Sequence, residues 1–354
     1  METHLHDLAV RQARSAQVKV IVANDSPHHE SSVIEGVQVT RVARVATIAS
    51  MPVCPSLVSA IRSSPADIVH IHMPNPGAAL AFLLSGHTGR LVVTHHADTM
   101  GRPYLRRLSD PFVRSIMRRA CRILITSTRY IASSTELLPF RDACQVIPLG
   151  IDIQNPLTHD SAEILQIRQR FGENIILAVG RLVPYKGFDV LIRAMKHVHA
   201  TLLLIGTGPQ YDSLAKLIAS EHLDQQVFLL GRVDDLRPYF AAASVFVLPS
   251  ITRAEAFGIV QLEAMAAGLP VINSNIDSGV PEVSVHGQTG ITVPPSDPVA
   301  LSEAMRVLLN NDTMRATYGQ AAKARACAEY TNDRMAERIL SVYENILAGV
   351  HGTA

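Results

Sequence analysis

The second half of the chain alternates short apolar runs with amphipathic segments, and this alternation constrains the fold more than any other feature. Runs typical of buried strands occur at 175–179, 202–205, 227–230, 245–248 and 271–272. Segments with helical spacing of apolar residues lie near 189–197, 210–221, 236–242, 256–267 and 298–309. Because each helix carries the chain across the sheet, the strands should run parallel and be covered on both faces. The pattern predicts a Rossmann-like α/β unit.

The first half shows the same alternation. Strands are predicted at 18–23, 37–42, 67–72, 91–94, 123–126 and 145–147, with helices at 1–15, 55–63 and 78–85. The polar segment 153–160, which contains Pro156, is the best candidate for a linker. We therefore predict a first domain over 1–152 and a second over 153–331, followed by a final helix and tail over 332–354.

Composition describes a globular chain and excludes some functions. Of 354 residues 47% are hydrophobic and 18% charged, and the net charge of +1 argues against general nucleic-acid binding. The longest apolar run is far shorter than the roughly 18 residues of a membrane span. The four cysteines show no C-x-x-C spacing, and no D-x-D pair marks a metal site. We expect a cytoplasmic protein that uses neither a metal nor a cofactor.

The stretch 249–273 contains two carboxylates around a predicted helix start. Glu255 precedes Phe257 and Gly258, and Glu263 lies eight residues after Glu255 in a helix predicted over 256–267. Free amides at a helix start attract anions, and a glycine lets an anion approach the backbone closely. The carboxylates would repel phosphate, so we expect them to accept hydrogen bonds from sugar hydroxyls. The alternative is a capped helix with Glu255 in its first turn and Glu263 on a solvated face.

A second cluster follows the first predicted strand of the same unit. Arg181 and Lys186 occupy the turn 180–187, where both can reach an anion at the carboxyl ends of the strands. We expect both side chains to face a solvent-filled cleft. The alternative is a pair of ordinary surface cations, which strand-to-helix turns often carry.

Together these motifs resemble retaining nucleotide-sugar glycosyltransferases of the group 1 family, which have the GT-B fold. The resemblance rests on the E-x7-E spacing, on E-A-F-G at 255–258, and on G-R-x-x-x-x-K-G at 180–187. It implies two Rossmann-like domains facing a cleft, with the last helix crossing back to the first domain. It also implies that Glu263 binds the ribose, that Glu255 faces the donor sugar, and that Arg181 and Lys186 hold the diphosphate. The backbone amides of the intervening residues would assist, namely those of Phe257, Gly258, Ile259 and Val260.

Weaker motifs add further expectations from the resemblance. Gly208 matches a glycine turn that lines the cleft, and the backbone of Arg232 and Val233 matches a segment that contacts the base. The string T-H-H-A-D at 94–98 resembles a Y/W-H-S-D motif in enzymes that build mannose- and rhamnose-containing polysaccharides. It implies that His96 faces the donor sugar and that Asp98 orients His96 or meets the acceptor. The alternative for a histidine after a buried strand is a hydrogen-bonded structural role.

The segment from Arg102 to Arg122 is basic and amphipathic, and it leaves two interpretations open. It can lie on an anionic membrane, or it can be a solvated helix face with a buried apolar stripe. A lipid-linked acceptor would favour the first interpretation and would place the protein peripherally on the inner face of the plasma membrane.

These observations predict a retaining glycosyltransferase that moves a sugar from a nucleoside diphosphate to a polysaccharide or a lipid-linked glycan. The alternatives are an inactive binding subunit and a GT-B epimerase that acts on nucleotide sugars. The family normally has a strand and a Gly-Gly loop before the first helix, whereas this sequence begins inside that helix. We therefore expect the natural chain to begin upstream of Met1.

Overall fold

The computed structural model describes residues 2–48, 51–98, 103–153 and 161–349, without the side chains of residues 2, 3, 103–106, 108 and 161. The chain divides into two compact units. The first comprises residues 1–148 and 332–354, and the second comprises 149–331. The first boundary follows Pro148, four residues before the predicted boundary after Asp152. The second boundary follows Thr331, as predicted. The predicted linker 153–160 lies outside the described residues except for Ile153.

The first unit opens with a helix and two small β structures. Its elements to this point are α1 (Glu2–Gln12), β1 (Lys19–Ala23), β2 (Glu30–Ile34), β3 (Val37–Val42), β4 (Ala46–Ile48), β5 (Met51–Val53) and α2 (Leu57–Arg62). Strand β3 pairs parallel with β1 and antiparallel with β2, while β4 and β5 form a hairpin. The sequence analysis did not predict β2, β4 or β5, because their short, largely exposed runs lack the apolar pattern of a core strand.

A four-stranded parallel sheet follows, in the order β6-β7-β8-β9. Its elements are β6 (Ile68–Met73), α3 (Pro76–Ser85), β7 (Arg90–His95), α4 (Pro103–Arg119), β8 (Arg122–Ile125), α5 (Thr128–Ser133) and β9 (Cys144–Val146). Strands β7 and β8 form its apolar centre, and Val92, Val93 and Ile123 are fully buried there. Register pairs His72 with Thr94 and Met73 with His95, so the ends of β6 and β7 lie at the same edge.

The second unit is built on alternating helices and strands. They are α6 (Ser161–Phe171), β10 (Ile175–Val179), α7 (Phe188–Ala194), β11 (Thr201–Ile205), α8 (Tyr211–Ser220), β12 (Val227–Gly231), α9 (Arg237–Ala242), β13 (Val245–Leu248), α10 (Ile259–Ala266), β14 (Val271–Ser274), α11 (Val280–Val283), β15 (Gly290–Val293), α12 (Pro298–Leu309) and α13 (Asp312–Glu329). All six strands run parallel in the order β12-β11-β10-β13-β14-β15.

This strand order confirms the predicted Rossmann-like unit. Strand order reverses between β10 and β13, and in such sheets ligands bind outside the carboxyl ends of the strands at this reversal. Residues of β10 and β13 are almost fully buried, which explains why their sequences are continuous apolar runs. The loops after these two strands therefore carry the candidate site.

The helix predicted over 256–267 begins three residues later than expected, at Ile259. Gly258 adopts a left-handed backbone with φ of +73°, so the helical hydrogen bonds cannot extend back to Ala256. A Cβ at this position would lie 2.6 Å from Leu248 Cδ2. Glu255 consequently lies in a loop, which rules out the alternative that placed it in the first turn of the helix.

The final helix, α14 (Asn332–Leu347), belongs to the first unit and packs against α1. Arg11 Nε donates to Asp333 at 2.8 Å, and Gln12 Nε2 donates to the Tyr343 hydroxyl at 3.3 Å. The predicted return of the last helix to the first domain is therefore confirmed. No helix in the described part of the chain is long and apolar enough to cross a bilayer.

Candidate active site

Two loops meet at the point where strand order reverses in the second unit. Ile251 N, after β13, donates to Tyr185 O, after β10, at 2.8 Å. Gly187 has φ of +66°, and a Cβ there would lie 2.2 Å from Pro249 O. Only glycine permits this close approach, which brings the G-R-x-x-x-x-K-G turn against the start of the E-x7-E segment.

Lys186 and Glu255 form a buried ion pair at this junction. Lys186 Nζ lies 2.5 Å from Glu255 Oε2, and the Ser250 hydroxyl donates to the same oxygen at 3.0 Å. The expectation that Lys186 faces a solvent-filled cleft is wrong, because only 7% of the residue is exposed. The lysine stem packs against the turn after β10, where a Cβ on Gly180 would lie 3.3 Å from Lys186 Cε, and the ammonium is directed at Glu255.

Arg181 has the exposed position that was expected for both cations. Its guanidinium makes no hydrogen bond or ion pair with the residues that the structure describes. A cation that is always charged and presents a fork of donors suits a diphosphate. The loop after β10 thus supplies one cation already paired within the protein and one available to a ligand.

Helix α10 presents its amino end beside Glu255. The first amides of a helix, here those of Ile259 and Val260, have no partner within the helix and carry its partial positive charge. Gln261 N already donates to Gly258 O at 3.0 Å, which closes the first turn. This end of α10 can therefore accept an anion at the backbone.

Glu263 lies one turn into α10, four residues after Ile259. Its carboxylate makes no hydrogen bond or ion pair with a residue in the described ranges. Burial raises the pKa of Glu263 from 4.5 to about 7, because water solvates the ionised form poorly there. A partly buried carboxylate that lacks a protein donor is suited to bind ligand hydroxyls.

A buried amide network that the sequence analysis missed supports this helix. Gln261 Nε2 donates to Phe257 O at 2.8 Å and to Val280 O at 3.3 Å. Asn273 Nδ2 donates to Val280 O at 3.0 Å and to Ser284 O at 3.1 Å. In the sequence, Gln261 and Asn273 occur among apolar residues of a predicted helix and a predicted strand. This position predicts buried side-chain hydrogen bonds, because buried polar groups need partners. The network holds the Phe257–Gly258 loop in place.

Glycines also bring the turns after β10 and β11 together. A Cβ on Gly206 would lie 1.9 Å from Gly180 O, and one on Gly208 would lie 2.4 Å from Leu182 O. The predicted binding residue Gly208 thus has a packing role that explains its identity. Arg232 is exposed and pairs with Asp234 at 3.1 Å, and Val233 is half-buried beside it.

In the first unit His96 lies in a cluster of imidazoles at the ends of β6 and β7. His96 Nε2 lies 3.0 Å from His72 Nδ1, and the His4 ring centroid is 5.4 Å from that of His96. His70 lies next to this cluster and bonds to Tyr343 and Thr94. Burial is the main cause that lowers the pKa of His96 to about 3 and that of His4 to about 4, so these rings are neutral near pH 7.

Asp98 belongs to a separate interior network. Ser134 Oγ donates to the Asp98 carboxylate. The backbone N–H of Asp98 donates to the Tyr130 hydroxyl at 2.5 Å. The buried His95 Nε2 lies 3.8 Å from Asp98 and 3.3 Å from Glu136. Asp98 thus anchors the loop that follows His96, while its predicted part in orienting His96 or meeting the acceptor stays a prediction.

The basic segment forms α4, although Arg102 lies outside the described residues. Val113, Ile116 and Met117 are buried and form part of the core of the first unit. The apolar stripe is thus already packed, as in the second interpretation of the segment. Arg107, Arg114 and Arg118 are exposed and, at helical spacing, share a face.

Comparison with known proteins identifies both halves of the chain. Residues 161–325 match the family described as glycosyl transferases group 1, and residues 1–155 match glycosyltransferase family 4. The chain is 31% identical over 283 residues to O-antigen chain mannosyltransferase C of Escherichia coli, with 79% of this chain and 76% of that protein covered. It is 33% identical over 262 residues to the D-rhamnosyltransferase WbpZ of Pseudomonas aeruginosa, with 73% and 68% covered.

Solved structures show the same fold. Sucrose-phosphate synthase from Thermosynechococcus elongatus superposes with a TM-score of 0.79 at 21% identity, covering 98% of this chain and 93% of that one. Anabaena HepE in complex with UDP and glucose gives a TM-score of 0.76 at 21% identity, covering 97% and 95%. With the strand order, the loop motifs and the two relatives above 30% identity, these findings establish that the chain belongs to the group 1 glycosyltransferases, enzymes with the GT-B fold.

Proposed function

We propose that this enzyme transfers a sugar from a nucleoside diphosphate to a glycan acceptor with retention of anomeric configuration. The observation that carries the proposal is the set of groups at the reversal of strand order in the second unit. Two adjacent loops and the start of α10 present an arginine and a carboxylate that have no partner among the described residues, a lysine and a glutamate paired with each other, and an open helix end. This set matches a ligand with a diphosphate and two groups of hydroxyls.

Each group has a role that follows from its chemistry. Arg181 and the amides of α10 bind the diphosphate, while Lys186 stabilises the charge that develops as the glycosidic bond lengthens. Glu263 accepts hydrogen bonds from the ribose hydroxyls, and Glu255 accepts them from the donor sugar. His96 of the first unit supplies further contacts to that sugar. The acceptor attacks the face from which the phosphate departs, and the phosphate oxygen takes the acceptor proton.

We infer that the donor sugar resembles mannose. The T-H-H-A-D string at 94–98 supports this inference, and the two relatives above are named as a mannosyltransferase and a D-rhamnosyltransferase. A further relative, from Corynebacterium glutamicum, is named as a GDP-mannose-dependent enzyme that acts on an acylated phosphatidylinositol mannoside; it is 35% identical over 215 residues. The same names support a polysaccharide or lipid-linked acceptor.

A lipid-linked acceptor would place the enzyme at the inner face of the plasma membrane. We propose that the exposed arginines of α4, Arg107, Arg114 and Arg118, contact anionic headgroups there. The apolar stripe of α4 is buried in the first unit, so the contact would be electrostatic and would not involve insertion of this helix.

Incubation with a panel of nucleotide sugars and a glycan acceptor, followed by mass spectrometry and NMR of the products, tests the proposed function. We expect a glycoside whose anomeric configuration equals that of the donor. A product of inverted configuration would overturn the proposed mechanism. Nucleotide binding without transfer would favour the inactive binding subunit, and conversion of the donor to its epimer would favour the epimerase.

A further inference from the structure

The imidazoles of His4, His72 and His96 have an arrangement that the proposed sugar contact does not require. One nitrogen from each ring can be chosen so that all three lie within 4.8 Å of one another. The ring centroids form a nearly equilateral triangle with sides of 5.3, 5.4 and 5.9 Å. Imidazoles bound to one tetrahedral zinc ion, with bonds of about 2.0–2.1 Å, have centroids about 5 Å apart. In such a site the bound nitrogens lie about 3.3 Å apart, so the rings must move closer and rotate to hold a metal.

The three histidines are held by separate elements of one compact unit. His4 lies on α1, His72 on β6, and His96 directly after β7. His96 N donates to Met73 O at 3.0 Å, which fixes its backbone to the neighbouring strand. A framework of this kind presents ligands without the ordering cost of a flexible loop.

The state of the rings also suits a metal. An imidazole of ordinary pKa, about 6.5, is mostly neutral at pH 7, and the neutral form is the one that binds metal ions. His4 Nδ1 is buried and has no hydrogen-bond partner among the described residues. His72 and His96 share one hydrogen bond that a metal would replace.

We propose that His4, His72 and His96 form a binding site for Zn²⁺, and that the bound ion inhibits sugar transfer by withdrawing His96 from the donor. Nitrogen donors select zinc and its neighbours over magnesium or calcium. Three protein ligands leave one tetrahedral position for water or a ligand atom. The inhibition rests on the proposed role of His96, whereas the binding does not depend on it.

Competition between the full chain and a chromophoric chelator for Zn²⁺ measures the binding directly. We expect one ion per chain, and at least a tenfold loss of affinity in His4→Ala and in His72→Asn, because changes even to groups that only support ligands cost about 10–100-fold. The control is His6→Ala, which removes an exposed histidine from the same helix. Far-ultraviolet circular dichroism verifies that each variant is folded, and Co²⁺ should give the visible absorption of a tetrahedral site only where His4 and His72 are intact.

Failure of the wild-type chain to bind Zn²⁺ at micromolar concentration would overturn the site, as would binding that neither substitution weakens. A loss of binding in His6→Ala equal to that in His4→Ala would also contradict it. If His4→Ala does not fold, His72→Asn and the Co²⁺ spectrum decide whether the site exists.

Transfer assays then test the inhibition: Zn²⁺ should slow sugar transfer by the wild type but not by His4→Ala, each relative to its own rate in the presence of chelator. Binding without inhibition would leave the site standing and would contradict the proposed role of His96.

Discussion

At the scale of single residues, Glu263 illustrates how burial prepares a group for a ligand. Its pKa is raised from 4.5 to about 7, so between these values the folded protein binds more protons here than the unfolded chain. The free energy of unfolding therefore falls as the pH rises from 4.5 to 7, and this loss of stability is complete above pH 7. A shift of this size corresponds to about 3 kcal/mol.

We therefore predict that Glu263→Gln stabilises the ligand-free protein by up to about 3 kcal/mol at pH 8 and has little effect at pH 4.5. Urea unfolding of both proteins across this pH range measures the difference. Glu303→Gln, a change at an exposed position on α12, is the matched control and should show no such trend. If the free energies of unfolding of the wild type and Glu263→Gln differed by the same amount at every pH, the argument from burial would be contradicted.

Arg181 should contribute to catalysis without contributing to stability, because its side chain is exposed and has no partner in the described ranges. We predict that Arg181→Ala lowers kcat by raising the activation free energy by about 2.7–4 kcal/mol, the effect of losing one preorganised charge partner. Its urea midpoint should match that of the wild type. Arg193→Ala, which removes an exposed arginine from α7, serves as the control for loss of charge. Full turnover in Arg181→Ala would remove the assignment.

Lys186 and Glu255 should behave as a unit, since each is buried against the other. We predict that Lys186→Met and Glu255→Gln each cost about 3–5 kcal/mol of stability, because each leaves a buried polar group without its partner. The double substitution should cost clearly less than the sum. Urea unfolding of the four proteins completes the cycle, and the more exposed pair Arg193–Glu221 should show coupling below about 1 kcal/mol. Additive effects at Lys186 and Glu255 would mean that the pair does not stabilise the fold.

At the scale of elements, the site depends on turns that only glycine can form. A Cβ on Gly206 would meet the Gly180 carbonyl at 1.9 Å, whereas one on Gly172 would meet nothing within 4 Å. Both residues have positive φ, of +147° and +86°. Substitution of Gly172 therefore reports backbone strain alone, whereas substitution of Gly206 adds a clash between two turns.

We predict that Gly172→Ala costs about 1–2 kcal/mol, the strain of a left-handed alanine. Gly206→Ala should cost about 3 kcal/mol or more, because overpacking is added to strain, and it should also weaken nucleotide binding. Thermal unfolding and nucleotide titration measure the two effects. Equal destabilisation by the two substitutions would show that the turns can separate at no cost.

At the scale of the whole molecule, the proposed contact with an anionic membrane depends on the exposed arginines of α4. Each basic residue at an anionic surface is worth about 1 kcal/mol. We predict that replacing Arg107, Arg114 and Arg118 together by Gln weakens binding to vesicles that contain phosphatidylglycerol by about 3 kcal/mol, with no effect on neutral vesicles. Sedimentation of the protein with vesicles at low and high salt measures the affinity.

A charge-matched variant provides the control for this experiment. Lys216, Arg306 and Lys323 are exposed positions on helices of the second unit, and their replacement by Gln removes the same charge. If this variant loses as much vesicle affinity as the α4 variant, net charge and not α4 would direct the interaction. Binding that persists at high salt would indicate apolar contacts from elsewhere in the chain.

The sequence by itself determined the architecture of the second unit and the family. Continuous apolar runs at 175–179 and 245–248 coincide with β10 and β13, because a strand buried on both faces must be apolar along its whole length. The motifs around Arg181, Glu255 and Glu263 identified the glycosyltransferase family, which the comparisons confirm. These signals are local, so they can be read from neighbouring residues.

Only the tertiary structure decided how distant residues meet. The left-handed backbone of Gly258 moved the start of α10, and contact between two loops buried Lys186 against Glu255. Gln261 and Asn273 became partners through a helix and a strand that pack together. His4, His72 and His96 converge from three elements, and no spacing along the chain shows it. The physical reason is that periodicity reports which face of an element is buried, whereas register and packing decide which side chains that face will contact.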